Sequence, residues 1–359
     1  MLVVALVLLL PSVSYALLTP RNLTARATPA VKATTSYGSL NNNGLNRDSC
    51  TSTAWSASNV LWTCRDTQQL NSAALRDRLR HPQPSIPQGF GSPFYPLEGD
   101  QCPSSGACSD GTRWVGWPDS GAAVVFNLNG AVNAYAFIKR QHLSGLSTLN
   151  TPDTTLYHVS QSAADTSVMP GVSVATSKFW GANQVGYGSA ASVLSGSFIY
   201  LYGTTPSGQL AVARSTLTGF LGALTDKSTY EYYVNGAWTK SAPTTSTANI
   251  ALSNTRSAQG TIYFSPKWNS FVWIGGDGFP NANFYISTAP APEGPWTSPT
   301  LFYTGALGTG SLPAYSAVAH PALTDGSGNY IFITWTKTIK NSAGTGDIYE
   351  QPLVRVDWA

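Results

Sequence analysis

Glutamate occurs at only four places in this chain, Glu98, Glu231, Glu293 and Glu350. With the strong helix formers this scarce, strands and turns are the material left to build a fold. Short apolar runs recur with turn signals between them. Runs 122–128 and 131–138 flank Asn129-Gly130, a dipeptide suited to a two-residue hairpin turn. Runs 191–194 and 198–202 flank Ser195-Gly196-Ser197, and 261–264 and 271–274 flank Pro266-Lys267-Trp268-Asn269. The runs fall into five groups, 45–68, 112–140, 155–215, 258–304 and 313–357. The last three are about 40–50 residues or longer, the size of one propeller blade, and the first two are shorter. The expected fold is all-β, a single five-bladed β-propeller over 36–359, with a β-sandwich or jelly roll as the alternative. One stretch, 69–80, reads as helical.

The first residues bear on compartment. Residues 2–10 are apolar, Pro11 follows, and Ser14-Tyr15-Ala16 is a small-x-small pattern. Together they read as a signal peptide over 1–16, although no Lys or Arg precedes the apolar run. That run is too short to span a bilayer. Residues 17–35 read as a flexible segment, with a glycosylation sequon at Asn22. A secreted chain pairs its cysteines, and four cysteines allow three pairings. The local choice is Cys50 with Cys64 and Cys102 with Cys108.

Only 10% of the residues are charged and the net charge is +3, with no Lys/Arg cluster to suit a nucleic acid. Neither His-Glu-x-x-His nor Cys-x-x-Cys is present for zinc. The chain also lacks a Gly-x-Ser-x-Gly elbow and any phosphate-binding glycine motif. No cofactor and no metal are expected. The partner expected is an oligosaccharide or polysaccharide, bound by a monomer, since 11 Trp and 17 Tyr with few charges suit stacking on sugar rings.

Arg47-Asp48-Ser49-Cys50 and Cys64-Arg65-Asp66-Thr67 bracket a hairpin whose turn is 56–59. Closing that hairpin brings Asp48 and Asp66 together, and a disulfide across it would fix them. Two carboxylates on one rigid element are what glycoside hydrolysis requires, about 5 Å apart in retaining and about 6.5–9.5 Å apart in inverting enzymes. The structural alternative is that both cap turns. Asp48 and Asp66 are therefore the catalytic candidates, with Arg47 and Arg65 placed to hold one carboxylate ionised. Asp119 is a third carboxylate candidate, against a plain role in the Pro118-Asp119-Ser120-Gly121 turn. Trp114 and Trp117 are candidate sugar platforms, against core packing. Tyr187, Arg214, Asp277 and His320 are the remaining candidate substrate contacts. Each also has a structural reading: core tyrosine, strand-end cation, Gly-Gly-Asp-Gly turn and satisfied histidine. Glu231 reads as a surface residue of an insertion.

Further motifs follow in order along the chain. They are Arg113-Trp114-Val115-Gly116-Trp117-Pro118, Tyr187-Gly188-Ser189-Ala190-Ala191 ahead of Ile199-Tyr200-Leu201-Tyr202-Gly203-Thr204, and Tyr230-Glu231-Tyr232-Tyr233 with Gly236-Ala237-Trp238. Ser287-Thr288-Ala289 with Gly294-Pro295-Trp296 comes next, then Ala319-His320-Pro321-Ala322-Leu323. With the Arg-Asp hairpin, and over 36–357, this series resembles a secreted five-bladed β-propeller family. That family was long described as a domain of unknown function and is related to glycoside hydrolases of the endo-D-arabinanase type. The resemblance implies a propeller with its cleft at the central channel and a hydrolase acting on a polysaccharide. Ser49-Cys50 stands where the family often has Gly-Gly, Arg65 replaces a glycine, and Ala322 replaces a glutamate, so the substrate class does not carry over directly. The rival reading is a non-catalytic, lectin-like propeller.

Overall fold

The computed structural model describes residues 29–40, 45–56, 59–69, 85–86, 93–102, 106–128, 131–162, 168–217, 224–256 and 258–359. The expected signal peptide, the Asn22 sequon, residues 70–80 of the expected helix and the Asn129-Gly130 turn lie outside them.

The described residues open with β1 (Val31–Ser39), so residues 31–35 of the segment expected to be flexible lie in a strand. Then come β2 (Leu45–Arg47), β3 (Thr51–Ala54), β4 (Val60–Thr63), β5 (Thr67–Gln69) and β6 (Ser85–Ile86). β3 and β4 form the expected hairpin, with Thr51 opposite Thr63, and β6 runs parallel to β4. β2 and β5 pair beyond it, Arg47 opposite Thr67. The next strands are β7 (Arg113–Val115), β8 (Ala123–Leu128), β9 (Ala131–Lys139), β10 (Gln141–Ser144), β11 (Ser147–Thr148), β12 (Thr154–Ser162) and β13 (Gly171–Trp180). β8, β9, β12 and β13 make one sheet, while β7, β10 and β11 make a small one beside it.

A five-stranded sheet follows from β14 (Ala191–Ser195), β15 (Phe198–Thr204), β16 (Leu210–Thr216), β17 (Glu231–Val234) and β18 (Ala237–Thr239). A four-stranded one comes from β19 (Gly260–Ser265), β20 (Ser270–Gly275), β21 (Asn283–Ala289) and β22 (Thr300–Thr304). The last sheet holds β23 (Tyr315–Ala319), β24 (Tyr330–Lys340), β25 (Asp347–Glu350) and β26 (Pro352–Trp358). β1 pairs along β26, so the first and last strands share a sheet. Among the described residues there is no α-helix, only isolated 3-10 turns such as Pro321–Leu323.

Two expectations are corrected. Residues 112–140 and 155–215 do not divide where the sequence suggested, because β12 pairs with β9 over nine positions and carries the second sheet on to Trp180. The stretch around Glu231 is not a surface insertion: β17 pairs with β16, and Tyr232 is buried. Among the described residues the strands build seven sheets, which the sandwich alternative does not describe.

Side chains alternate across a strand, and here both faces are buried. On β15, Ile199 and Leu201 join a cluster with Phe137 and Leu156 of the second sheet. Their neighbours Tyr200 and Tyr202 join Phe271 and Trp273 of the fourth. On β20, Val272 and Ile274 face Ile331 and Val354 of the last sheet. Trp55 and Leu61 pack with Val132 and Tyr157, joining the first sheet to the second. Val60 and Trp62 pack with Phe332 and Leu353, joining it to the last. Five clusters thus link the sheets in a cycle. β3, β8, β14, β19 and β23, one strand from each of five sheets, line a common cavity of about 350 Å³.

Phe284 tests this packing. It is fully buried and meets Phe302, Tyr303 and Trp335 edge-on at 5.9–6.2 Å. Phe284→Ala should lower the free energy of unfolding in urea by about 3–5 kcal/mol. A loss under about 1 kcal/mol would mean that the fold does not depend on this cluster.

Candidate functional site

Between its two ladders the first hairpin breaks, and the residues of the break are Asp48-Ser49-Cys50 on one strand and Cys64-Arg65-Asp66 on the other. The backbone still joins across it: the Asp48 N–H donates to the Asp66 carbonyl at 2.8 Å, and the Arg65 N–H to the Asp48 carbonyl at 2.9 Å. Cys50 and Cys64 form the expected disulfide, with Cα atoms 4.0 Å apart, and Cys102 bonds to Cys108. Ser49 takes a left-handed φ of 46°, a conformation that favours glycine. Hydrogen bonds hold it there: its N–H donates to Thr336 Oγ1 at 2.8 Å, and its Oγ donates to Asp48 Oδ1. That Oγ also lies 2.7 Å from Ser316 Oγ, whose residue has a φ of 59°. Strained backbone of this kind persists where the surroundings over-determine it.

The three aspartates have different environments. Asp48 is buried, 4% exposed, and hydrogen-bonded by Tyr315. Burial raises its pKa above the ordinary carboxylate value, against the opposing pull of the Arg65 charge. Asp66 is more open, its side chain 28% exposed. Its Oδ1 accepts from Trp117 Nε1 at 2.9 Å, and its Oδ2 pairs with Arg113 at 3.1 Å. Asp119 takes up the Arg65 guanidinium through Nε at 2.8 Å and through Nη2, and accepts from Gln259 Nε2 at 3.4 Å. Burial works against the Arg65 charge, but the carboxylates of Asp119 and Asp48 outweigh it and raise its pKa. Arg65 and Arg113 lie over Trp117, 5.1 and 5.6 Å from the ring centroid. Burial pushes the Tyr315 hydroxyl well up, with the Asp48 charge adding to it. A Cβ at Gly121 would overlap Thr53 Oγ1, so glycine lets the Asp119 loop lie against β3.

Beside this cluster is a cavity of about 220 Å³ whose walls include Arg65, Asp119, Lys139, Arg256, Gln259 and Tyr315. It is built from loops and strand ends of different sheets. No group of three or more His, Cys, Asp or Glu among the described residues is placed to hold a metal ion.

Of the candidates read from the sequence, Asp48, Arg65, Asp66, Trp117 and Asp119 meet here. The others do not. Tyr187 is 1% exposed and packs against Trp180 and Tyr232 in the core. Arg214, on the third strand of its sheet, pairs with Glu231 at 2.7 Å and lies between the rings of Phe198 and Trp238. His320 is fully buried, its Nδ1 2.9 Å from Ser52 Oγ and its Nε2 2.7 Å from Thr334 Oγ1, the satisfied-histidine outcome. Trp114 stacks flat on His142 at 4.5 Å, on the opposite face of β7 from Arg113. Arg47 is buried, and desolvation lowers its pKa to about 10. Asp277 is exposed and bonded to Asn283 and Tyr285, although Gly276 and Gly278 beside it reach the cavity wall. Arg113, Lys139, Gln259 and Tyr315 were not singled out by sequence. Arg113 sat inside a quoted motif, but the other three stand at a strand end, in a loop and at a strand start, with no local signal.

The family described as "Domain of unknown function (DUF5005)" matches residues 108–354. A solved structure from Bacteroides ovatus ATCC 8483, proposed to be a hydrolase, superposes with a TM-score of 0.55 at 15% identity, covering 89% of this chain and 87% of that one. This is a likeness of fold. A GH62 hydrolase in complex with xylotriose gives 0.32 at 12% identity over 65% of this chain and 89% of that one. An α-L-arabinofuranosidase from Podospora anserina in complex with cellotriose gives 0.33 at 11% over 74% and 95%. These two scores are too low to carry an argument. No curated protein sequence matches.

The burial of Asp48 has a consequence for stability. Its folded-state pKa lies above the ordinary carboxylate value, so the folded chain binds this proton more readily than the unfolded chain does. The resulting stabilisation is present at low pH and is lost as pH rises from the unfolded pKa through the folded one. Asp48→Asn cannot ionise and keeps an acceptor for Ser49. It should melt above the wild type at neutral pH, and the gap should close as pH falls below the ordinary carboxylate pKa. A neutral-pH melting temperature equal to or below that of wild type would overturn this account.

Proposed function

The chain belongs to the DUF5005 family, and we propose that this member is a secreted five-bladed β-propeller acting as a glycoside hydrolase on a polysaccharide. The cycle of five inter-sheet clusters supports the propeller reading, and the two disulfides suit an extracellular protein. The observation that carries the activity is a pair of aspartates on one disulfide-closed break with opposite surroundings. Asp48 is shut away from water, while Asp66 opens to the surface with Trp117 and Arg113 donating to it. Carboxyls whose environments differ in this way suit the proton donor and the base or nucleophile of glycoside cleavage.

In this reading Asp48 supplies the proton that the departing glycosidic oxygen takes up, and Tyr315, which bonds Asp48 and lines the cavity, links the two. Asp66 either attacks the anomeric carbon or takes a proton from the water that does. Arg65 with Asp119 fixes the wall between them, and Trp117 offers a ring edge beside the reacting sugar. Arabinans are the first polymers to assay, from the resemblance noted in the sequence.

A binding-only propeller is the second reading. It draws on the fact that Asp119 is already engaged by Arg65 and that Asp48 is 4% exposed.

One experiment separates them: reducing-sugar release from arabinans, arabinogalactans and wall polysaccharides by wild type, Asp48→Asn and Asp66→Asn, with folding followed by circular dichroism. Each variant should lose about 10²- to 10⁴-fold in kcat. Wild-type activity should fall as pH rises through the raised pKa of Asp48, because the donor then loses its proton. Full activity in both folded variants would move the chemistry elsewhere. Polysaccharide binding without any release would favour the binding-only reading.

A further inference from the structure

The cavity beside the aspartates holds more positive charge than its own wall balances. Arg65, Lys139 and Arg256 line it, against one carboxylate, Asp119. Asp119 is committed to Arg65. Lys139 reaches in from the end of β9 and Arg256 from the loop ahead of β19, and among the described residues neither joins an ion pair. The Arg256 guanidinium is held over the Tyr285 ring at 4.3 Å. Of the neighbouring acids, Asp277 is tied to Asn283 and Tyr285, and Asp66 to Trp117 and Arg113. Burial lowers the Lys139 pKa, with Asp119 opposing and Arg65 adding to the effect. A desolvated ammonium is costly unless an anion meets it. Gly276 and Gly278 leave part of the wall without side chains, and Gln259 adds an amide.

We propose that this cavity is a subsite for an anionic group on the glycan, a sugar carboxylate or sulfate, held by Lys139 and Arg256. The inference rests on the reading above that the site binds a glycan, and adds the charge of the sugar. A wholly neutral chain would leave both cations without a counter-ion. A carboxylate or sulfate would meet a point charge from Lys139 and a donor fork from Arg256, each suited to oxyanions.

The test is native affinity electrophoresis of the full chain carrying Asp66→Asn, which slows turnover. The gels contain xylan against glucuronoxylan, galactan against polygalacturonate, and a sulfated carrageenan. Lys139→Met and Arg256→Gln are then added singly, and because Arg256 lies in a loop its variant keeps the test valid if Lys139→Met fails to fold. The uronate or the sulfated polymers should be retained over their neutral counterparts, which tells the two anions apart. Each variant should weaken that retention by about 10- to 100-fold, and added salt should weaken it further. Equal retention of neutral and acidic polymers, no binding at all, or acidic binding unchanged in a folded variant would overturn the subsite. Reducing-sugar release by wild type on the same polymers keeps the two ideas apart. Release without acidic preference removes the subsite and leaves the hydrolase, whereas variant-sensitive acidic binding without release does the reverse.

Discussion

Burial of both faces of each large sheet is the constraint on which the rest of this structure depends. A sheet that is apolar on both sides needs a neighbour on each, and the clusters around β15 and β20 show successive residues of one strand facing different neighbours. With few charges to spare, the chain meets that demand by setting its sheets side by side until the last meets the first through Trp62, Phe332 and Leu353. One strand from each of five sheets, β3, β8, β14, β19 and β23, then faces a shared cavity.

At the candidate site, charge is distributed by burial as much as by pairing. Arg65 is the cation nearest both Asp48 and Asp119, yet its guanidinium bonds Asp119. Asp48 has a hydroxyl on either side, from Ser49 and Tyr315, and no direct cation contact. Burial favours the protonated form of Asp48, although the Arg65 charge and the two hydroxyl bonds pull the other way. Asp66 meets an indole N–H and a guanidinium instead. One covalent closure therefore fixes two carboxyls whose surroundings differ.

Much of this was legible in the sequence because it is local. The β3–β4 hairpin, the partnership of Cys50 with Cys64, and the approach of Asp48 to Asp66 follow from turn chemistry and short separation. Trp117 and Asp119 were legible as candidates because they follow an Arg-Trp motif into a turn. Tyr187, Arg214 and His320 were misplaced for one reason: glycine neighbours, a strand end and a following proline are found as readily in a core or a blade face as in a cleft. The division of the second and third sheets was missed because residues 140–153 look like a boundary, while the pairing of β12 with β9 is a choice between distant strands.

An all-β chain of short strands, its hairpins, its disulfides and the meeting of two aspartates can be read from local patterns alone. These rest on alternation, turn residues and contacts a few positions apart. Only the tertiary structure decided which faces meet, that Asp48 is buried while Asp66 is open, and that Lys139, Arg256 and Tyr315 share a wall with Asp119. Burial depends on residues brought together from different sheets, and the charge pairs of the site join positions 54 apart, Arg65 with Asp119, and 47 apart, Asp66 with Arg113; no local pattern encodes either.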